Sequence, residues 1–533
     1  MLIARASPAQ YLVGHIEQRS FTSQVAVTIP AVPRQRAEST PDSVLCYFEG
    51  ERLTYAQADT GSDELAAGLL ARGIGHGDRV AVAAANSPKR LLLYLATAKI
   101  GAVLVTLNVA YPEREFTYML GHSGARMLVC DTEAGGFEFV PFLQALRPQI
   151  PTVEQVVFLG GDDSQWTSLI EAGSGSDKVR RAEAKVEACD PAVILYTSGT
   201  TGSPKGATLT HASLLASAAG QVERLEQTSS DVILGVLPFN HVGGLTCTIT
   251  SSLIAGGGFS LLPRFHPDLV RQAIQETPIS MFVGVPTMYK MVLATGGVEQ
   301  ADRIRLCVVG GSNLEPALAE QAKAAFGKAR LANLYGLSET SGACAISPPG
   351  DSLEMVGQSI GTMLGDFEAR IVNDDHEALP VGEVGELQVR GGCVAAGYWE
   401  MPEETSVAFG EDGWLSTGDV GSITEDGHIM LVARKKKMYV RGGYNVYPTE
   451  VENVLATHPS VAMSAVIGIP DETFGETGLA FVVAAGETVD TSELIDLCTR
   501  SLAAYKVPSR IEVVGSLPMT PAGKIRKVEL RGR

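Results

Sequence analysis

Paired cysteines are missing from this chain. Its eight cysteines, at positions 46, 130, 189, 247, 307, 344, 393 and 498, stand singly with no C-x-x-C among them. That spacing argues against a zinc site and a disulfide framework and fits a reducing compartment. Positive charge is also scarce: 42 Lys and Arg against 60 Asp and Glu leave a formal net charge of -18. Nucleic-acid phosphates would be repelled at long range, so any anionic substrate must be captured by local basic residues. No apolar run reaches the roughly 18 residues a membrane span needs, so no integral membrane segment is expected. Internal repeats and low-complexity segments are absent. The first sixteen residues lack acids and carry Arg5, a faint transit-peptide trait, but Pro8 and the shortage of further arginines favour an ordinary flexible terminus. A soluble, cytoplasmic protein is expected.

What is present is a large amount of apolar sequence: 45% of 533 residues, ample for a core and too long for one domain. From Pro41 onward short apolar runs alternate with helical patterns, the mark of α/β architecture. Val44–Phe48, Val80–Ala83, Val103–Val105 and Met127–Cys130 read as strands, and Thr54–Arg72 and Arg90–Lys99 as helices. Asn86-Ser87-Pro88 supplies a helix start with its cap and proline. Asp163–Lys185 is polar and reads as a surface connection. Strands follow at Val232–Leu237, Ser280–Val285 and Leu306–Val309. From Ile360 to Gly392 glycine-punctuated pieces such as Ala369–Val372 and Glu386–Arg390 read as a small β-subdomain. Asp426-Gly427 marks a hairpin turn. After the basic run at Arg434 the chain restarts as an α+β unit. Its helix Pro448–Ala456 has Thr449 as cap with Glu452 three residues on. Strands at Ser464–Gly468 and Leu479–Ala484 and a helix at Ser492–Leu502 complete it.

One stretch carries chemistry on its face: Tyr196 to Gly206, YTSGTTGSPKG. It follows the apolar strand Ala192–Tyr196 and precedes a helix-like run, Ala212–Val222. Glycines bring backbone N–H groups close to an anion, Thr197, Ser198, Thr200 and Thr201 add donors, and Lys205 adds a mobile charge. This is the chemistry of a polyphosphate cradle. It is not a P-loop: counted from Gly199, Pro204 stands where the second glycine belongs and Gly206 where the magnesium-binding Ser/Thr belongs. A flexible linker is disfavoured by the flanking strand and helix.

The loop resembles, residue for residue, the phosphate-binding signature of the adenylate-forming superfamily: acyl-CoA synthetases, firefly luciferase and the adenylation domains of nonribosomal peptide synthetases. Four further stretches resemble that superfamily in the expected order, so the resemblance covers nearly the whole chain. Leu237-Pro238-Phe239-Asn240-His241-Val242-Gly243-Gly244 resembles the segment bordering the carboxylate channel. His241 stands where amino-acid-activating relatives carry an aspartate for the substrate ammonium, whose burial without a counter-charge is costly. Gly310-Gly311-Ser312 and Asn333-Leu334-Tyr335-Gly336-Leu337-Ser338-Glu339-Thr340 resemble the segments around adenine and the acyl pocket. The resemblance implies that Tyr335 stacks on adenine and that Glu339, with Thr200, holds magnesium. Ser338 replaces the family's frequent threonine and keeps the hydroxyl. Asp419 and Arg434 match the two ribose contacts. Lys524, in Pro518-Met519-Thr520-Pro521-Ala522-Gly523-Lys524, matches the adenylation lysine.

The resemblance thus implies an α/β fold: a large N-terminal domain (1–435) of α/β subdomains plus a small β-subdomain, then a small mobile α+β C-terminal domain (436–533). It implies a carboxylate–CoA ligase that uses ATP, Mg2+ and coenzyme A and forms acyl-AMP from a small carboxylic acid. Thr197, Ser198, Gly199, Thr200, Thr201, Gly202 and Lys205 would hold the β- and γ-phosphates. Gly310, Gly311, Ser312, Asn333, Tyr335, Gly336, Ser338, Glu339, Asp419, Arg434 and Lys524 complete the nucleotide site. Thr200, His241, Glu339 and Lys524 are the catalytic candidates. His241, Gly243, Gly244, Gly310, Gly336 and Gly342 would line the acyl pocket, Lys436 would be the hinge, and Arg441, Gly442 and Gly443 would border the coenzyme A path. The acid itself, fatty, aryl or polycyclic, stays open. So do a stand-alone enzyme loading a carrier protein, although no carrier domain follows, and a luciferase-like monooxygenase or ATP-binding regulator. Homodimers are common in related ligases.

Overall fold

Two mainly parallel sheets organise the chain. The computed structural model describes residues 28–109, 113–134, 136–173, 176–197, 204–296, 298–311, 314, 316–434, 439–441, 444–446, 448–471, 474–486, 488–502, 504–519 and 525–530. The first sheet has six strands in the order Lys205–Thr210, Pro191–Thr197, Val103–Thr106, Arg79–Ala83, Met127–Asp131, Gln155–Leu159. Only Lys205–Thr210 runs antiparallel to its neighbour. Strands buried on both faces need continuous apolar sequence, which is why Val80 to Ala83 lacks the alternation of a half-exposed strand.

The second sheet has nine strands, ordered Thr362–Met363, Gly342–Ile346, Arg330–Leu337, Leu306–Gly310, Met281–Gly284, Val232–Gly235, Gly258–Leu261, Val44–Phe48, Glu51–Thr54. Helices pack between and around these sheets. Pro88–Lys99 is nearly all buried, with Pro88 in its first turn and Ser87 accepting from the Arg90 N–H. Its Tyr94 hydroxyl meets Thr250 at 3.3 Å, on the helical segment beside the second sheet. Tyr55–Ala71 starts with a reciprocal capping box between Thr54 and Gln57.

A four-stranded antiparallel sheet follows, Glu368–Val372, Gly385–Arg390, Leu415–Ile423 and Ile429–Arg434. Gly427 takes φ +85 in the turn joining the last two, as Asp-Gly turns require. The small C-terminal domain pairs Val461–Asp471 with Gly475–Ala484, and Arg510–Val513 joins the latter in parallel. Helices Pro448–Ala456 and Thr491–Ser501 cover one face, where Val451, Leu455, Leu494 and Cys498 meet Val466 and Val482. The boundary expected at 435/436 lies outside the described residues.

The helix expected over Ala212–Val222 is present as His211–Arg224, and a strand the sequence did not announce, Lys205–Thr210, precedes it. Two expectations are corrected. The polar stretch from Asp163 to Lys185 is not a plain connection. It forms helices Ser164–Glu171 and Ser176–Glu183, with Glu183 accepting from the guanidinium of the buried Arg34 at 2.6 Å. Glu452 does not close a capping box on Thr449, which lies inside the first turn of a helix beginning at Pro448. Its carboxylate instead accepts from the Val466 N–H at 2.6 Å and pairs with Lys527.

Candidate active site

The phosphate loop joins two antiparallel strands whose register puts Lys205 opposite Thr197 and Gly206 opposite Tyr196. Strand pairing therefore holds both ends of the loop, with the Thr197 hydroxyl 3.4 Å from the Lys205 carbonyl. The outer edge of Lys205–Thr210 is covered by the chain at 396–399: Ala396 N donates to Thr208 O, Thr208 N to Gly397 O and Trp399 N to Gly206 O, at 2.8–2.9 Å. This brings Tyr398 beside Lys205 at the end of the hairpin. The Lys205 ammonium lies 4.9 Å from the Tyr398 ring centroid, and the Tyr398 hydroxyl donates to Glu339 Oε1 at 2.8 Å. Burial and then the Glu339 carboxylate push the Tyr398 phenol above its ordinary range, so it stays a donor.

Glu339 sits in the turn after strand Arg330–Leu337. Ala395 N donates to its carbonyl at 2.8 Å, and Tyr398 is the side chain bonded to its carboxylate among the described residues. Those residues contain no group of three or more His, Cys, Asp or Glu able to hold a metal alone. One carboxylate completed by phosphate oxygens and water suits magnesium, which seldom takes an all-protein cage.

The same strand carries Tyr335 and Gly336 in opposite directions. The Tyr335 hydroxyl donates to Asp419 Oδ2 at 2.6 Å, both side chains being buried. Burial and Asp419 raise the Tyr335 phenol well above its usual range. Asp419 stands opposite Arg434 in the four-stranded sheet. Asn333 is committed elsewhere: its amide donates to the carbonyls of Ser359 at 2.8 Å and Val356 at 3.3 Å. Ser338 is buried in the turn beside Glu339.

On the other side of this strand lies a cavity lined by Leu237, His241, Gly243, Cys247, Val283 and Val285, together with Gly310, Gly311, Gly336 and Gly342. Gly336 must be glycine, since a Cβ there would stand 1.9 Å from the Gly342 carbonyl. His241 caps the turn at 242–244 by accepting the Gly243 N–H on Nδ1 at 3.0 Å. In the neutral ring the proton is therefore on Nε2. Cys247 is the other titratable group on the wall, and burial pushes its thiol up to about 12. It belongs to a π-helical turn, Leu245–Thr250, of a kind often found beside functional sites. Gly244 is not on the wall; a Cβ there would meet the Pro238 carbonyl at 2.4 Å, so it serves backbone packing.

Arg441 donates to the Val507 carbonyl at 2.7 Å and lies 5.2 Å from the Phe474 ring. Ser198, Gly199, Thr200, Thr201, Gly202, Ser312, Lys436, Gly442, Gly443 and Lys524 lie outside the described residues, as does the side chain of Arg434. Sequence reading missed Tyr398 and Cys247, because neither stands in a stretch whose chemistry is legible alone.

Residues 33–399 match the AMP-binding enzyme family and residues 450–524 the AMP-binding enzyme C-terminal domain. The chain is 34% identical to the 3-[(3aS,4S,7aS)-7a-methyl-1,5-dioxo-octahydro-1H-inden-4-yl]propanoyl:CoA ligase of Mycobacterium tuberculosis, covering 95% of this chain and 98% of that one. It is similar to ATP-bound MatB from Rhodopseudomonas palustris, with a TM-score of 0.83, 31% identity, and 94% and 98% coverage. It is also similar to o-succinylbenzoate CoA synthetase from Bacillus subtilis, whose structure holds the acyl-adenylate, with a TM-score of 0.81, 28% identity, and 94% and 97% coverage. Another structure of that synthetase holds ATP and magnesium.

Proposed function

This chain belongs to the AMP-binding enzyme family, and on that premise we propose which residues perform its reaction and what acid it takes. The chain is an AMP-forming acyl-CoA ligase. A carboxylate oxygen attacks the α-phosphorus of ATP, the bond to the β-phosphate oxygen breaks, and pyrophosphate leaves. The thiolate of coenzyme A then attacks the acyl carbon of the mixed anhydride, and AMP departs with the bridging oxygen. A carboxylate is a poor electrophile, and adenylation supplies its leaving group.

One observation supports the residue assignment above others: strand Arg330–Leu337 carries Tyr335 towards Asp419 and Gly336 into the cavity wall, and is followed directly by Glu339. Nucleotide, acid and metal sites would then meet along four or five residues. Tyr335 stacks on adenine, and Asp419 with Arg434 accepts and donates at the ribose. Thr197, Lys205 and the loop between them hold the β- and γ-phosphates. Glu339 would hold magnesium, which would supply charge neutralisation for the leaving pyrophosphate. Lys524 bridges the carboxylate and α-phosphate as charge grows there, stabilising the transition state electrostatically. Lys436 serves as hinge between domains 1–435 and 436–533, so that Lys524 acts in the first half-reaction and Arg441 with the neighbouring glycines borders the coenzyme A path in the second.

The acid is proposed to be a monocarboxylate with an apolar body, fatty, aryl or polycyclic. Among the described residues the cavity wall is Leu, Val, Pro, Cys and Gly with His241, and none of these lining residues is Lys, Arg, Asp or Glu. A second charge on the acid would be buried unpaired. Eight free cysteines support a reducing, cytoplasmic setting, and no helix of the described residues is long and apolar enough to cross a membrane. ATP–pyrophosphate exchange across a panel of acids tests the reading: exchange with apolar monocarboxylates is expected, and a preference for dicarboxylates or amino acids would refute it. AMP release stimulated by free coenzyme A and not by carrier protein identifies the acceptor.

A further inference from the structure

Two charged groups assigned to the phosphate end, Lys205 and Glu339, do not pair with each other among the described residues; a tyrosine stands between them. The Lys205 ammonium lies over the Tyr398 ring, 4.9 Å from its centroid, and the hydroxyl of the same ring donates to Glu339 Oε1 at 2.8 Å. A direct ion pair would have neutralised both groups before the nucleotide arrived. A tyrosine satisfies a cation on its face and an anion at its hydroxyl while carrying no charge itself.

Tyr398 is built in as a rigid post. Its backbone bridges to Ala207 on the phosphate hairpin, and its N–H donates to the Thr405 hydroxyl at 2.9 Å. Its ring meets Phe409 edge-on at 5.4 Å and 78°. The neighbouring Ala395 N–H holds the Glu339 carbonyl at 2.8 Å, so one short segment orients both the main chain and the side chain of Glu339. With Oε1 taken by the hydroxyl, Oε2 has no protein partner among the described residues.

We propose that Tyr398 is a positioning residue for the metal–nucleotide complex: its hydroxyl turns the Glu339 carboxylate so that the second oxygen meets a divalent cation, and its ring holds Lys205 ready for the phosphates with its charge unspent. The proposal rests on the assignment of Glu339 to the metal. When MgATP enters, the ammonium leaves a neutral ring for phosphate oxygens, whereas it would otherwise have to break an ion pair.

Binding of Mn2+–ATP, followed by the electron spin resonance signal of free Mn2+, tests this beside binding of metal-free ATP by calorimetry. Tyr398→Phe keeps the ring and removes the hydroxyl, so Mn2+–ATP binding should weaken about tenfold while metal-free ATP changes less than about twofold. Tyr398→Leu removes the ring as well and should also weaken metal-free ATP, by roughly fivefold. Glu339→Gln is the control. If it weakens Mn2+–ATP binding while Tyr398→Phe binds like the parent, the proposal is overturned and the metal assignment stands. If neither variant changes binding, both fall. Equal weakening of metal-bound and metal-free ATP by Tyr398→Phe, with a lowered unfolding temperature, would reduce Tyr398 to a packing role and overturn the proposal too.

Discussion

The Tyr335 hydroxyl and Asp419 Oδ2 are 2.6 Å apart, in a contact where the two residues are only 9% and 4% exposed. It ties the nine-stranded sheet to the four-stranded one. Tyr335→Phe removes this donor from the buried Asp419 carboxylate, which costs about 1–3 kcal/mol. The expected outcome is a lower unfolding temperature and an ATP dissociation constant raised roughly five- to tenfold. Thermal denaturation and calorimetric titration of ATP check it.

Lys524→Ala separates the two half-reactions. ATP–pyrophosphate exchange should fall by at least about 10²-fold, since a preorganised charge at the transition state is lost. Thioester formation from supplied acyl-adenylate and coenzyme A should largely survive. Equal loss in both assays would contradict the assignment of this lysine to the first half alone.

Away from the site, Lys99 is fully buried and donates to Asp59 Oδ1 at 2.7 Å and Asp63 Oδ1 at 2.6 Å. Arg34 approaches the same two aspartates and Glu183. Three carboxylates share two cations, so removing one cation leaves buried charge uncompensated. Lys99→Met should destabilise by about 3–5 kcal/mol, and adding Asp63→Asn should recover part of that. Urea denaturation of the single and double variants measures both.

Stability should also depend on pH through His211, which is fully buried and lowered to about 4, first by desolvation. An unfolded chain takes up this proton near pH 6.5 and the folded chain only near 4, so stability is whole above 6.5 and falls as pH drops through that window. From pH 7 to 5 the loss from this group is about 2 kcal/mol. His211→Gln should flatten the slope of unfolding free energy against pH between those values; an unchanged slope would show that other groups carry it.

Local features were legible where neighbours in sequence are also partners in space. Ser87 with Pro88 starts its helix within one turn, the Ser87 hydroxyl accepting from the Arg90 N–H. The double-buried strands announce themselves by unbroken apolar runs. The strand Lys205–Thr210 was hidden because its pairing, with Pro191–Thr197 on one side and residues 396–399 on the other, decides it more than its own composition. Glu452 misled for the same reason: a residue spaced for a capping box instead serves Val466 and Lys527. Gly244 looked like its neighbour Gly243, yet only Gly243 reaches the cavity.

The sequence by itself determined the class of chemistry. A glycine- and hydroxyl-rich loop ending in Lys205, an acid at 339, another at 419 and a lysine at 524 are residue types whose charge and hydrogen-bonding capacity suit a nucleotide, whatever surrounds them. Only the tertiary structure decided how two of those charges are kept from cancelling. Tyr398 reaches Glu339 across 59 residues of chain and Lys205 across two paired strands. A hydrogen bond and a ring contact depend on distances of a few ångströms, and those distances are set when separate segments pair at a sheet edge, where no local pattern records them.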